Sequence, residues 1–351
     1  MTKMTPWRFE YPTSVGILYY GGEAEDLLDT LITVKMITEA LENRGHVVRT
    51  MEVGKKNWRK AVRISGEVVF NLVEDPTWEL YVKVGEALER AGRAQVGHDL
   101  RSFRYAVRKA AFKRRMEKLG IATPAFRIFN RRTKINQIRG LEYPLIVKPS
   151  GQHAGIGISQ DSVVIDVNEL KERVLYLFKN FPGEVVVEEF VDGREIQITV
   201  LGNGRHIVAL PYAGLEFKGE FADNWEVYTY NAKWVQESWE YWNVPVKSPI
   251  KTSKILNYRL GKLVNKAFKS LGCRDIARFD IRVDKYERPF IIDINVNPSL
   301  KYDELDATWI SAHALHWSYP DLIESVVGVT YKRVYGKLPD RIRERQLLLT
   351  T

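Results

Sequence analysis

The first hundred residues alternate between short apolar runs and amphipathic helical patterns, and this alternation limits the folds that the chain can adopt. Apolar runs at 15–20 and 68–73 and an alternating strand pattern at 46–51 are separated or followed by helical patterns such as the one at 27–41. Strands that alternate with helices at this spacing predict a parallel sheet with helices on its faces. We therefore expect an α/β subdomain over residues 1–100.

The rest of the chain predicts two lobes in which helices and strands are mixed. A basic helical pattern at 102–119 lies near the start of the first lobe, 101–190, which also carries a Gly-rich loop. Longer alternating strands and a helical pattern at 253–271 belong to the second lobe, 191–351. The predicted fold class is α/β with α+β lobes.

Composition argues against several classes of protein. The chain has 351 residues, of which 45% are hydrophobic, so it can bury a large core. With Cys273 as its single cysteine it has no intrachain disulfide, and no run reaches the ~20 apolar residues of a membrane helix. The net charge of +9 is spread along the chain, which does not favour nucleic-acid binding. We expect a cytoplasmic protein that does not bind membranes.

Two predicted strands near the C-terminus carry acidic residues inside apolar sequence. Arg278 and Asp280 share one face of the first strand, and Asp293 and Asn295 share one face of the second. If the strands pair, two carboxylates and an amide converge beside an arginine, and such oxygen ligands suit Mg²⁺. The alternative is a pair of solvated strands with scattered acids. Asp293 follows three apolar residues, where an unpaired buried charge is costly, so we favour the metal site.

Two further segments have features of a nucleotide site. Lys148 ends an apolar strand directly before the Gly-rich loop 150–157, and a lysine with loop amides can hold phosphate. The loop does not match the P-loop pattern, and a flexible hairpin is the alternative. The segment 188–195 places hydrogen-bond acceptors and an apolar side chain after a strand, as a purine and its ribose would need. In isolation an acidic surface turn is the favoured interpretation of this segment.

Together, in this order and spacing, these elements resemble the ATP-grasp superfamily, and most closely its D-alanine–D-alanine ligase branch. The resemblance covers roughly residues 13–330 and implies an ATP-grasp fold preceded by an N-terminal parallel-sheet subdomain. It rests on Val147-Lys148-Pro149-Ser150, Val187-Glu188-Glu189-Phe190 with Gly193-Arg194-Glu195, Arg278-Phe279-Asp280 and Asp293-Ile294-Asn295-Val296-Asn297-Pro298.

The resemblance implies a role for each residue of these motifs. The residues expected to bind ATP are Lys109, Lys148 and Lys233 on the phosphates, the loop glycines Gly151, Gly155 and Gly157 around the triphosphate, Glu188 with the backbones of Glu189 and Val191 on adenine, and Glu195 on the ribose. The residues expected to bind Mg²⁺ are Asp280, Asp293 and Asn295. The residues expected to assist the reaction are Arg278, Lys233 and the backbone near Ser299.

The implied reaction joins a carboxylate to an amine. ATP phosphorylates the carboxylate, two Mg²⁺ ions (or Mn²⁺) neutralise the phosphates, and the amine attacks the resulting acyl phosphate. The expected partners are small amino-acid or amine substrates, and the resemblance also implies a homodimer through the first subdomain.

The sequence departs from the family at several positions. Asp293 replaces the usual glutamate and is one methylene shorter, and Arg282 stands where an apolar residue commonly supports adenine. Most other departures concern the substrates, and they lead us to expect a changed acceptor that bears an amine or a positive charge. The candidate substrate residues are Glu23 and Glu25 in an acidic segment after Gly21-Gly22, Glu74 in place of a histidine, Trp234 in place of a tyrosine, and Lys301 and Glu304 in place of a Gly-Met-Thr segment with its following serine.

Two rival functions stay open at this point. An authentic D-alanine–D-alanine ligase of cell-wall synthesis would tolerate these substitutions as variants. A regulatory protein that binds nucleotide without catalysis is the other rival. The retained lysines, arginine and acids speak against the second rival, because a protein that only binds nucleotide need not keep the whole phosphate site.

Overall fold

The computed structural model describes residues 4–9, 12–22, 27–135 and 138–336. Its first sheet is fully parallel with the strand order β2-β1-β3-β4, which confirms the predicted parallel sheet. The elements of this region are β1 (Ser14–Tyr20), α1 (Leu27–Glu42), β2 (Val47–Val53), β3 (Val68–Leu72), α2 (Glu79–Arg90) and β4 (Ala94–Gln95). Short 3-10 helices lie at Trp58–Arg63, Gln160–Ser162 and Gly219–Asp223.

The basic region predicted as one helix over 102–119 forms two helices. They are α3 (Leu100–Ala106) and α4 (Lys109–Lys118). Between them Arg108 is extended, with φ −137° and ψ 101°. The reason is tertiary: the backbone N–H of Lys109 donates to the Ser150 carbonyl at 2.9 Å, and that of Ala110 to the Ser150 hydroxyl at 3.0 Å. The Gly-rich loop thus satisfies the free amides at the start of α4.

The second sheet is antiparallel and carries one helix on its core face. Its elements are β5 (Phe126–Phe129), β6 (Leu145–Pro149), β7 (Val163–Val164), α5 (Val167–Asn180) and β8 (Val185–Glu189), with the strand order β5-β8-β6-β7. Side chains alternate between its faces, so Val147 and Val187 pack in the core under α5. Lys148 and Glu188, each one residue further along, therefore lie on the opposite face.

The third sheet is also antiparallel and holds the predicted acidic strand pair. Its order is β12-β11-β9-β13-β14, with β10 paired to β9. The strands are β9 (Arg194–Asn203), β10 (His206–Ala209), β11 (Ala213–Leu215), β12 (Val246–Lys247), β13 (Asp275–Val283) and β14 (Pro289–Asn295), and the helices are α6 (Tyr230–Trp234), α7 (Trp239–Trp242) and α8 (Lys254–Ser270). Helix α8 packs its apolar face, including Leu260 and Phe268, against this sheet.

The last two helices return to the first sheet. Helices α9 (Ala307–His313) and α10 (Tyr319–Tyr335) share a buried cluster with strand residues such as Val15 and Val68. The proposed subdomain boundaries at residues 100 and 190 stay predictions. Among the described residues, no helix is both long and apolar enough to cross a membrane.

A buried histidine links the first sheet to the end of β14 and makes a pH-dependent prediction. His98 is 1% exposed, Nδ1 lies 2.8 Å from the Val296 carbonyl, and Nε2 lies 3.3 Å from the Tyr81 hydroxyl. The carbonyl can only accept, so Nδ1 carries the proton and Nε2 accepts from Tyr81. Burial lowers the pKa of His98 to about 4.

Because the unfolded chain binds this proton below about pH 6.5 and the folded chain does not, stability is lost as pH falls towards 4. Between pH 7 and pH 5 His98 should cost about 2 kcal/mol of unfolding free energy. Urea unfolding of wild type and His98→Gln at both pH values measures this contribution. An equal pH-dependent loss in the variant would contradict the assignment.

Candidate active site

The acidic strand pair forms as its alternation predicts. In the register of β13 and β14, Arg278 is opposite Asn295 and Asp280 is opposite Asp293, and the register shifts directly after Asp280. The Arg278 guanidinium donates to both Asp280 oxygens, at 2.9 and 3.3 Å, and the Asn295 amide donates to Asp280 at 3.2 Å. Two carboxylates, an amide and an arginine therefore lie within one small area of the sheet.

Cations from two other elements, and Arg278 of β13 itself, lie around this acidic pair. The Lys109 ammonium at the start of α4 lies 3.5 Å from Asp293. Burial would raise the pKa of Asp293, but Lys109 and His153 outweigh it, and the pKa is lowered. Lys233 on α6 is also near: burial lowers its pKa, against the opposing charge of Asp280. Burial opposes the charge of Arg278 as well, yet Asp280 raises its pKa.

Three charged residues, of which Lys113 and Glu188 are buried, connect the second sheet to α4. Glu188 accepts from both Lys148 and Lys113, and the Lys113 ammonium also donates to Thr123 at 2.7 Å. The side chains of Lys113 and Glu188 are only 2% and 1% exposed. Burial would raise the pKa of Glu188, but the two lysines outweigh it and lower the pKa. Glu188 is therefore an anion fixed between two cations.

The Gly-rich loop lies against both α4 and α6. The Lys109 ammonium donates to the Gln152 carbonyl at 2.7 Å, and the Trp234 indole donates to the Ala154 carbonyl at 2.8 Å. Gly155 and Gly157 have positive φ of +83° and +76°, and a Cβ on Gly157 would lie 2.9 Å from the Pro149 ring. At Gly151 there is open space and no such requirement.

A second cluster lies at the ends of β8 and β9. Glu195 is 7% exposed, and its carboxylate lies 3.4 Å from the Arg282 guanidinium. Burial raises the pKa of Glu195 in spite of Arg282. Arg282 also donates to the Val191 carbonyl at 2.9 Å. The side chain of Glu189 lies elsewhere and accepts from the Glu142 backbone at 3.0 Å, so only its backbone is available to this cluster.

The structure describes four of the six predicted substrate residues, Glu74, Trp234, Lys301 and Glu304. Lys301 donates to Asp29 on α1 at 2.6 Å and lies 3.3 Å from Asp303, which ties α1 to the loop after β14. Glu74 accepts from the Asn297 amide at 2.5 Å. Glu304 is exposed. Glu23 and Glu25 lie outside the described residues.

Two residues of the site were missed by the sequence reasoning. Lys113 looks like part of the surface cluster with Arg114 and Arg115, although it is four residues after Lys109 and therefore on the same face of α4. Asp306 begins α9, accepts from the Trp309 backbone at 2.9 Å and from the Ser299 hydroxyl. Burial raises its pKa to about 6, against the Trp309 N–H and the charge of Arg278. No motif in the sequence marks Asp306.

This arrangement of three sheets is found in a known class of enzyme. The crystal structure of the D-alanine–D-alanine ligase from Bacillus anthracis complexed with ATP superimposes with a TM-score of 0.72 and 19% identity, covering 92% of this chain and 99% of that one. The chain therefore has the ATP-grasp fold.

Sequence comparison identifies the family. The family model described as the D-ala D-ala ligase C-terminus matches residues 116–328. A D-alanine–D-alanine ligase of Bordetella petrii is 26% identical over 323 residues, 92% of this chain and 93% of the relative. An uncharacterized protein of Sinorhizobium fredii, y4sG, is 30% identical over 275 residues, 78% of this chain and 77% of the relative.

The chain belongs to the D-alanine–D-alanine ligase family. It is an ATP-dependent, ADP-forming ligase that joins a carboxylate to an amine, and its substrates are small molecules.

Proposed function

We propose that this ligase activates the carboxylate of one amino-acid-like substrate as an acyl phosphate and transfers the acyl group to the amine of a second. The observation that carries the proposal is the cluster of four cations around two paired carboxylates. Lys109 contacts Asp293, Arg278 contacts Asp280, and Lys148 and Lys233 complete the cationic set. Such a set can hold a triphosphate and neutralise the charge of phosphoryl transfer.

Mg²⁺ fits the donors that these strands present. Asp280 and Asp293 face each other across the ladder with Asn295 beside them, which supplies hard oxygen ligands at adjacent positions. Among the described residues there is no group of three or more His, Cys, Asp or Glu that could hold a metal by itself. Mg²⁺ uses one or two carboxylates and takes other ligands from phosphates and water. When bound, two Mg²⁺ ions (or Mn²⁺) supply charge neutralisation of the phosphates.

The nucleotide end is assigned from the same residues. We assign Lys148 and Lys109 to the inner phosphates and Lys233 to the γ-phosphate, with Gly151, Gly155 and Gly157 over the triphosphate. We assign Glu188 and the backbones of Glu189 and Val191 to binding adenine, and Glu195 to binding the ribose hydroxyls. Lys113 keeps Glu188 neutralised when Lys148 turns from Glu188 to phosphate.

The chemistry follows from the need for a leaving group. A carboxylate oxygen attacks the γ-phosphorus, the bond from that phosphorus to ADP breaks, and ADP leaves. The amine then attacks the acyl carbon, the oxyanion is stabilised by Arg278 and the Ser299 backbone amide, and phosphate leaves with the bond electrons. The amine nitrogen loses a proton during this step, and the departing phosphate takes it up. Asp306, which accepts from Ser299, orients the loop that carries this amide.

The acceptor is proposed to carry an amine or a positive charge. Near the loop after β14 the acids Asp303, Glu304 and Glu74 outnumber Lys301, and Lys301 is itself paired with Asp29 and Asp303. An amino-acid carboxylate would meet repulsion from these acids. The rival acceptor is D-alanine, which the similarity to the Bordetella petrii ligase favours.

The test is phosphate release from ATP and Mg²⁺ across D- and L-amino acids, dipeptides and polyamines, with mass spectrometry of the products. We expect release that requires two substrates and yields a condensed product with an amine-rich acceptor. Efficient formation of D-alanyl-D-alanine would overturn the changed acceptor and leave the ligase assignment intact. Failure of every pair to release phosphate, with ATP still bound, would support the non-catalytic rival.

Trp234 is proposed to hold the Gly-rich loop closed over the acyl phosphate. Its indole N–H donates to Ala154 across the gap between α6 and the loop. Trp234→Phe removes this donor and keeps an aromatic ring. We expect phosphate release without product to rise about fivefold relative to coupled turnover, because water reaches the acyl phosphate when closure weakens. Trp242→Phe is the matched control, because the Trp242 indole donates to the Gln236 carbonyl and not to the loop. Equal coupling ratios in wild type and Trp234→Phe would contradict the role.

We also propose a cytoplasmic homodimer. The support is the apolar outer face of α1, where Leu28 is 70% and Leu31 41% exposed, and the single free thiol, Cys273, which is buried. Light scattering of wild type and of Leu28→Lys distinguishes a dimer through α1 from a monomer.

A further inference from the structure

Arg282 joins β13 to the segment 190–195 and to Glu226 at the nucleotide end of the site. It lies on β13 two residues after Asp280, and its side chain is only 4% exposed. The guanidinium donates to the Val191 carbonyl at 2.9 Å and to the Glu226 carbonyl at 2.8 Å. The guanidinium carbon Cζ lies 4.9 Å from the centre of the Phe190 ring, close enough for a cation–π contact. Arg282 is therefore held in one orientation.

One nitrogen of this fixed guanidinium has no partner. Nε and Nη1 donate hydrogen bonds to backbone carbonyls, and Nη1 also lies 3.4 Å from the Glu195 carboxylate. Nη2 is buried and has no hydrogen-bond partner among the residues that the structure describes. A buried charged group with an unsatisfied donor is costly, so such a group calls for a ligand. The segments around Arg282, at Val191 and Glu195, are the ones assigned to the adenine and ribose of ATP.

The missing partner has a definite chemistry. A guanidinium can only donate, and an ionised carboxylate can only accept. A hydroxyl does both: its oxygen accepts from Arg282 while its hydrogen is donated to Glu195. A sugar hydroxyl therefore has the donor and the acceptor that these two residues require.

We propose that Arg282 is a ribose-recognising residue, whose Nη2 donates to a ribose hydroxyl that in turn donates to Glu195. This inference rests on the proposed function, because it takes the nucleotide to lie at this end of the site. It assigns to the Arg282–Glu195 pair the selection of ribonucleotides over deoxyribonucleotides.

The experiment measures dissociation constants by calorimetry for ATP, 2′-deoxy-ATP and 3′-deoxy-ATP. Wild type should bind ATP about 10-fold more tightly than at least one deoxy analogue, because losing the hydroxyl leaves charged partners unpaired. Arg282→Met should reduce that ratio to about twofold, chiefly by weakening ATP, while Arg282→Lys should restore part of it. Arg288→Met is the matched control, since Arg288 is an exposed arginine on the same hairpin, and it should leave the ratio unchanged.

A purely structural role would weaken all three nucleotides equally and leave the ratio intact. An unchanged ratio in Arg282→Met, or in Arg282→Lys should the methionine variant not fold, would overturn the inference while ATP binding by wild type upheld the proposed function. A wild type that binds no ATP would overturn both, and that outcome is distinct from the first.

Discussion

Replacing Arg278 with methionine is expected to lower kcat about 10³-fold while changing ATP affinity much less. The guanidinium is half-buried, donates to both oxygens of Asp280, and is assigned to the transferring phosphate and the later oxyanion. The oxyanion forms only during the reaction, and the charge of the transferring phosphoryl group shifts most in the transition state, so the loss should fall mainly on kcat and less on nucleotide binding. Single-turnover kinetics with the substrate pair found by the panel, together with calorimetry for ATP, separates the two effects.

The comparison variants make the result specific to Arg278. Arg278→Lys keeps the charge but not the two parallel hydrogen bonds, so its rate should lie between wild type and Arg278→Met. Arg288→Met, from an exposed ion pair with Asp284, should keep the wild-type rate. A kcat of Arg278→Met within tenfold of wild type would show that this residue does not stabilise the transferring group.

The largest effect on stability is expected for Lys113→Met. Lys113 and Glu188 form an almost fully buried ion pair, and removing the lysine leaves Glu188 with Lys148 alone. Breaking a buried pair costs about 3 to 5 kcal/mol, and the remaining lysine places the expected loss near 3 kcal/mol. Urea unfolding measures it. Lys118→Met, at an exposed lysine of the same helix, should change stability by less than about 0.5 kcal/mol.

A double-variant cycle tests whether the pair is the cause. Lys113→Met with Glu188→Gln removes the buried anion as well. The double variant should therefore lose less unfolding free energy than the sum of the two single losses. Additive losses would mean that Lys113 acts through packing or through its bond to Thr123 at 2.7 Å.

The strand pair at the centre of the site was predictable because strand periodicity alone fixes which side chains share a face. Arg278 and Asp280 are two residues apart, as are Asp293 and Asn295, so pairing the two strands necessarily brings them together. The parallel first sheet follows from a similarly local rule, the alternation of strands with helices. Pairing β6 with β8 likewise places Lys148 and Glu188 on one face.

What sequence reasoning missed depends on contacts between distant segments. The basic region breaks into two helices because Ser150, some forty residues away, accepts from the amides of Lys109 and Ala110. No glycine or proline marks that break. Lys113 is buried because Glu188 of the second sheet lies opposite it and neutralises its charge. In the sequence, Lys113 cannot be distinguished from its basic neighbours on α4.

Arg282 could be recognised from sequence as unusual, but its partners could not. Its contacts to Val191 and Glu195 come from one segment and its contact to Glu226 from another, and these segments meet Arg282 only in the folded chain. The return of α9 and α10 to the first sheet is a further long-range feature. Local patterns therefore predicted the elements and the acidic pair, whereas the charges that neutralise or orient that pair required the tertiary structure.

The most direct test of the proposed acyl-phosphate reaction follows an oxygen atom. Wild-type protein is incubated with ATP, Mg²⁺ and a mixture of amino acids and amines in which every carboxylate carries ¹⁸O, and the released phosphate is analysed by mass spectrometry. An acyl-phosphate route transfers one carboxylate oxygen to phosphate, so we predict one ¹⁸O in each phosphate formed together with a condensed product. Phosphate that is released with a condensed product but contains no ¹⁸O would contradict the proposed reaction.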